Sequence, residues 1–323
     1  MNRRLLLIAI AGFTILSSPS WAQDTASYPV KAIRVIVPST PGSPPDVVGR
    51  IIGEKLTAAL GKPLVFDNRP GATGIIGLEA LARSAADGYT LAVMAMPFVI
   101  NANLMAKMPY DTEKDLAAVA LVNWHYSLLV VPAASPLRSV AEIVTAAKAR
   151  PGALRYSGGN GTPPHIAGEL FKQVAGVDIQ HVPYKGAPAT VLAVLTGDVD
   201  MTITSVGALS PHIKSGKLRA LATAAPQRIA AYPELPTFVE LGYPGVQVRD
   251  WQGFVAPAGT PKSVIARLHA EIAKAASMPD VKARLEALGM EPASAGPEQF
   301  AAHIHSEMQR WGRFVREVGI TAD

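Results

Sequence analysis

Apolar runs of strand length alternate with stretches of helical spacing along most of the chain. Ile33 to Val37, Tyr89 to Val93, Leu128 to Val131, Ile179 to Val182 and Leu218 to Thr223 are rich in β-branched and aliphatic residues, and they read as buried strands. Between them lie helical patterns. In Asp46 to Leu60 the apolar residues Val47, Val48, Ile51, Ile52, Leu56 and Leu60 recur on one face, and Gly61 supplies a stop. Such alternation predicts an α/β protein with largely parallel sheets. From Pro261 onward the pattern turns helical, with stretches near 261–276, 279–288 and 297–318, and no strand follows.

The N-terminus has a different character. Arg3 and Arg4 precede the apolar run Leu5 to Leu16, and small and polar residues lead to Ser20-Trp21-Ala22. This is the form of a secretory signal peptide cleaved after Ala22; its apolar core is well short of the roughly 20 residues that cross a bilayer. Residues 1–22 carry two arginines and no acid, so their removal lowers the net charge from +5 to +3. That balance gives no argument for nucleic acid as a partner. With no cysteine in the chain, lipoprotein anchoring, thiol catalysis and disulfides are excluded together. The whole chain is 49% hydrophobic and 17% charged, a globular composition, and about 300 residues remain after the first 22, long enough for two domains. No low-complexity linker separates halves, so two domains would have to be joined by strands that cross between them.

An internal echo carries the most information. Gly42-Ser43-Pro44-Pro45-Asp46-Val47-Val48-Gly49-Arg50 returns in the second half as Gly161-Thr162-Pro163-Pro164-His165-Ile166-Ala167-Gly168-Glu169. Each copy follows a short strand and opens a helix: glycine permits positive φ, Ser43 or Thr162 stands at the cap, and proline is tolerated in a first turn. A helix N-terminus of this kind favours an anion, and two copies suggest two jaws.

These residues and several further blocks resemble the Bug-type receptors of tripartite tricarboxylate transporters, from about Tyr28 to the C-terminus. The blocks include Tyr28-Pro29, Asn68-Arg69-Pro70-Gly71-Ala72, Asp87-Gly88-Tyr89-Thr90-Leu91, Pro109-Tyr110-Asp111, His181-Val182-Pro183-Tyr184-Lys185-Gly186, Gly216-Lys217-Leu218-Arg219-Ala220 and Pro257-Ala258-Gly259-Thr260-Pro261. The resemblance implies a type II periplasmic binding protein-like fold, with two α/β domains joined by crossing strands around a central cleft. Domain 1 would comprise 23–124 and 247–323, and domain 2 would comprise 125–246. It also implies a small carboxylate ligand, di- or tricarboxylate or aromatic, held between loops Pro38 to Asp46 and Ser157 to His165. The candidate contacts are Pro41, Gly42, Ser43, Asp46, Met96, Trp124, Ser157, Gly158, Asn160, Gly161, Thr162, His165, Thr204 and Ser205. The implied partners are membrane subunits of a tripartite tricarboxylate-type transporter, the location is the periplasm, and the receptor is a monomer without cofactor or metal.

The first loop departs from the family's pattern. A second glycine is usual after Gly42, whereas Ser43 stands here and two prolines follow, which removes two N–H donors. Asp46 reads as an acceptor that orders its loop, or as the partner of a ligand amine. His165 reads either as a structural hydrogen-bonder or as a ligand contact. Trp124-His125-Tyr126, near the expected crossing, reads as junction packing or as a flank for a planar ligand.

Catalytic signatures are missing. Gly71-Ala72-Thr73-Gly74-Ile75-Ile76-Gly77 has the wrong spacing for a dinucleotide turn, the two Gly-Lys pairs lead to Pro63 and Leu218, and GxSxG and HExxH do not occur. His303 and His305 are two apart in a helical stretch and face different ways. The leading function is therefore capture and delivery of a solute. A ligand-presenting subunit of a periplasmic sensing system is the alternative, followed by an exported enzyme acting on an acidic substrate.

Overall fold

The computed structural model describes residues 28–105 and 107–319. The expected signal peptide, with its cleavage point after Ala22, lies outside the described residues.

Ten strands and ten α-helices follow one another among these residues. The first part runs β1 (Ile33–Val37), α1 (Pro44–Leu60), β2 (Leu64–Asn68), α2 (Ile75–Ala82), β3 (Thr90–Ala95), α3 (Met96–Leu104) and β4 (Leu116–Pro132). Next come α4 (Val140–Ala149), β5 (Arg155–Gly158), α5 (Pro163–Ala175), β6 (Gln180–Pro183), α6 (Ala187–Thr196), β7 (Met201–Ser205), α7 (Val206–Lys214) and β8 (Leu218–Thr223). The chain closes with β9 (Arg249–Pro257), α8 (Lys262–Ser277), α9 (Pro279–Ala287), β10 (Met290–Ala295) and α10 (Pro297–Val318).

The helix expected over 46–60 forms as α1, burying Val48, Ile51, Ile52, Leu56 and Leu60. Gly61 ends it in the left-handed region at φ 64°, returning its N–H to Thr57 O.

β4 organises the molecule. Its first part pairs antiparallel with β9 on one side and β10 on the other, within a sheet that continues through β3, β1 and β2. Its last part pairs antiparallel with β7 and β8, within a second sheet that continues through β5 and β6. The first sheet therefore takes strands from both ends of the chain, and the second takes its strands from the middle.

Two expectations need correction. The sheets are mixed, because parallel pairs (β1 with β2 and β3, β5 with β6 and β7) flank a centre in which every pairing of β4 and β9 is antiparallel. Strand–helix alternation signals parallel crossovers, but β9 returns from the far lobe and inserts between β3 and β4, a placement with no local signature. The C-terminal region also holds β10, between the second and third helices, and its sequence MEPASA has neither the alternation nor the β-branched content of a strand. The apolar run Leu128 to Val131 is only the end of β4, which is 17 residues long.

Candidate functional site

The two glycine-proline loops do face one another. α1 and α5 both begin on a proline pair, and Pro44, Pro45, Pro163 and Pro164 line a common cavity of about 190 Å³ between the sheets. Contact across the gap is close: a Cβ on Gly161 would lie 2.6 Å from Asn101 Oδ1 and 2.8 Å from Leu104 Cδ1, both on α3 of the opposite half.

The loops are ordered by their own backbone donors. Gly42, at φ 78°, gives its N–H to Asp46 Oδ2 at 2.9 Å. The Asp46 carboxylate, 3% exposed, also accepts from Arg50 Nε at 3.0 Å and Asn68 Nδ2 at 2.9 Å. Burial alone would raise its pKa, but the hydrogen bonds from Arg50, Gly42 and Asn68 outweigh that and hold it below the ordinary value. Ser43 shares a 2.6 Å hydroxyl contact with Ser39, and its side chain does not cap α1.

The second loop repeats this arrangement. Gly161, at φ 64°, gives its N–H to His165 Nδ1 at 3.2 Å, so that nitrogen is unprotonated. Burial, followed by the neighbouring His181 and Lys172, lowers His165 to about 4 against an opposing pull from Glu169. His165 stacks on His181 with ring centroids 4.0 Å apart, and His181 Nε2 donates to Gly158 O at 2.9 Å. Thr162 Oγ1 donates to Gly159 O at 2.6 Å instead of capping α5. His165 and Asp46 thus occupy equivalent places, each accepting the N–H of the glycine four residues before it.

Of the expected contacts, Thr162, Thr204 and Ser205 line the small cavity, and Gly42 and Ser205 line a larger one beside it. Asp46 and His165 are buried behind the loops. Ser157 is buried with its hydroxyl on Thr190 O, and Met96 is buried in the core. Gly158 and Gly161 shape the second loop, while Pro41 and Asn160 lie exposed at the loop tips. Trp124 is turned away from the cavity, with the Arg249 guanidinium 3.5 Å from its ring centroid and His303 edge-on at 5.0 Å. Tyr126 leaves on the same side, donating its hydroxyl to Glu291.

The seam between the sheets supplies polar groups of which sequence reasoning singled out only His125, within Trp124-His125-Tyr126. On β4 and β9, Asn123 lies opposite Gln252 and His125 opposite Asp250. His125, Ser127, Asp250 and Gln252 all line the small cavity, together with Thr190 on α6. Asn123 Nδ2 donates to Gln252 Oε1 at 2.5 Å, but Gln252 Nε2, Asn123 Oδ1 and His125 Nε2 are buried with no hydrogen-bond partner. Buried polar atoms ordinarily have partners, and leaving one unpaired costs about 1–3 kcal/mol. A sequence signal did exist: Asn123, His125 and Ser127 fall at every second position of an apolar run, as do Asp250 and Gln252. In a strand that spacing puts them on one face.

Among the described residues, no group of three or more His, Asp or Glu side chains could hold a metal ion, and no helix is long and apolar enough to cross a membrane.

Residues 48–320 match the family model described as tripartite tricarboxylate transporter family receptor. The chain belongs to that family. The receptor is 37% identical over 325 residues to the "UPF0065 protein in tcbD-tcbE intergenic region" of Pseudomonas sp. (strain P51), covering 100% of this chain and 96% of the relative. Among solved structures, R. palustris Rpa4515 with adipate is 31% identical with a TM-score of 0.83, covering 91% of the receptor and 99% of that chain. MatC from Rhodopseudomonas palustris with bound malate is 30% identical with a TM-score of 0.78, covering 89% and 100%. The receptor therefore has the periplasmic binding protein fold, two α/β halves joined at a central cleft, in a family of solute-binding receptors.

Proposed function

We propose that this receptor, freed of residues 1–22 by cleavage after Ala22, works in the periplasm by closing on a small carboxylate and presenting it, unaltered, to the membrane subunits of a tripartite tricarboxylate-type transporter. The observation that carries this reading is the pair of buried, unpartnered nitrogens, His125 Nε2 and Gln252 Nε2, on residues that line the cavity. Gln252 Nε2 is a donor, and His125 Nε2 is one in the tautomer that protonates it. Groups already desolvated and fixed by the seam strands are suited to receive carboxylate oxygens, because their desolvation cost has been met in advance. Ser127, Thr162, Thr190, Thr204 and Ser205 add hydroxyls around them. The loop glycines act by shape, since the N–H groups of Gly42 and Gly161 are spent on Asp46 and His165.

The two halves move as domains in this reading, 23–124 with 247–323 against 125–246, as a monomer. The hinge is where β4 passes from one sheet to the other. The adipate and malate in the two solved relatives support a carboxylate as ligand.

A thermal-shift screen of mono-, di-, tri- and aromatic carboxylates tests the proposal. A ligand at about a hundred times its dissociation constant adds roughly 2.7 kcal/mol of stability. Mass spectrometry should recover the hit unchanged. If no carboxylate raises the melting temperature, or if the hit is converted, the reading is wrong.

A further inference from the structure

The small cavity adjoins a second chamber of about 590 Å³, and Pro44, His125, Ala187 and Ser205 line both. The chemistry changes across that shared wall. Beyond it the lining is dominated by Val47, Val191, Leu192, Leu195, Leu288 and Met290. No lysine, arginine, aspartate or glutamate lines this chamber; its polar side chains are Ser205, His125 and His212. Leu192, on α6, lines the chamber at its rim and is 58% exposed.

Resting on the carboxylate reading above, we infer that the ligand is a monocarboxylate with an uncharged apolar body. Its carboxylate sits in the small cavity between the proline pairs, and its body fills the second chamber. The dimensions fit this division: 190 Å³ is below the roughly 300–1,000 Å³ of a cavity that encloses a drug-sized molecule, whereas 590 Å³ lies within that range. Neither chamber is lined by lysine or arginine, and the small one also carries the Asp250 carboxylate, but the small one offers the Gln252 amide and the hydroxyls of Ser127, Thr162, Thr190 and Thr204. A second carboxylate at the far end would meet none of these, and burying an unpaired charge is strongly disfavoured. Apolar carbon there displaces water from Val191, Leu195 and Met290 and gains affinity with each methylene buried.

Calorimetry with a graded set of ligands decides the matter: linear monocarboxylates from butyrate to octanoate, 4-phenylbutyrate, adipate and malate. Affinity should rise by about fourfold per methylene along the linear series. Hexanoate should bind at least roughly tenfold more tightly than adipate, which differs from it by a carboxylate in place of the terminal methyl. Ala208→Trp, which fills the chamber from α7, should cost octanoate and 4-phenylbutyrate about tenfold or more and leave butyrate unchanged. Leu192→Gln, at a solvent-exposed site where folding is not in question, should weaken the same two ligands in the same direction. If adipate or malate binds as tightly as the matched monocarboxylate, or if affinity is flat with length, the apolar-body inference fails and the carboxylate receptor stands. If nothing in the set binds, the apolar-body inference fails, and the carboxylate reading stands or falls on the wider thermal-shift screen.

Discussion

The backbone N–H of Gly161 donates to Nδ1 of His165, four residues on, at 3.2 Å, as that of Gly42 donates to the carboxylate of Asp46 at 2.9 Å. One jaw is thus locked by a carboxylate and the other by a neutral imidazole. The two locks are chemically unlike and respond differently to acid.

His165 is held at about 4, below its ordinary 6.5, so the fold favours the neutral ring. The associated stability is complete above pH 6.5 and is lost as pH falls toward 4, where the unfolded chain binds the extra proton first. Between pH 7 and pH 5 the loss from this residue is about 2 kcal/mol. His303, which burial beside Arg249 and Arg310 also lowers to about 4, adds to the same window. Urea unfolding at the two pH values should show a drop that His165→Gln reduces by about 2 kcal/mol. An equal drop in parent and variant would rule out His165 as the titrating group.

Asp46→Ala removes the acceptor of three donors at once, Gly42 N–H, Arg50 Nε and Asn68 Nδ2, the last of which keeps its bond to Ser39 O. Hydrogen bonds to a charged group contribute about 1.5–3 kcal/mol each, discounted here because the Arg50 side chain is 49% exposed. A loss of about 3 kcal/mol is expected in denaturant unfolding, and Asp46→Asn, which keeps one acceptor oxygen, should lose less. Identical losses in the two variants would mean the carboxylate's geometry is irrelevant to the loop.

His125 separates stability from binding. Its Nε2 is buried and unpartnered, and its Nδ1 lies a distant 3.7 Å from Asp250 Oδ2. His125→Leu should therefore leave the ligand-free protein as stable as the parent, or more stable by up to about 2 kcal/mol, while weakening carboxylate binding by at least about tenfold. Melting and calorimetry on one preparation check both halves. Retained affinity would remove His125 from the binding site.

Gly161→Val meets two obstacles: a positive φ, and the 2.6 Å approach to Asn101 Oδ1 across the cleft. The variant should fold with its halves forced apart and lose at least about a hundredfold in affinity. Thr162→Ala removes only the hydroxyl bond to Gly159 O and should cost about tenfold. Small-angle scattering with saturating ligand should give a larger radius for Gly161→Val than for the parent; equal radii and equal affinity would show that the loop is not a closing surface.

Local features were legible in the sequence and distant pairings were not. The repeat, α1 with its stop at Gly61, and the ends of most helices depend on neighbours a few residues apart. The facing of the two jaws followed from the repeat. Where its glycine donors go did not: Gly42 N–H is taken by Asp46 and Gly161 N–H by His165, residues whose roles sequence reasoning left open. Gln252 escaped notice because its significance comes from standing opposite Asn123, far away in sequence. Met96 and Trp124 illustrate the converse: position along the chain suggested the cleft, but strand and helix rotation point one into the core and the other at Arg249.

The 17-residue β4 has a consequence for how the chain reaches its native state. Every partner it has lies later in the sequence, beginning with β7 at Met201 and ending with β10 at Ala295. A polypeptide emerging from its N-terminus carries this apolar ribbon with both edges open until most of its length is available. Pairings so far apart in sequence make folding slow, and they make any truncation short of β9 a sticky fragment instead of a smaller receptor.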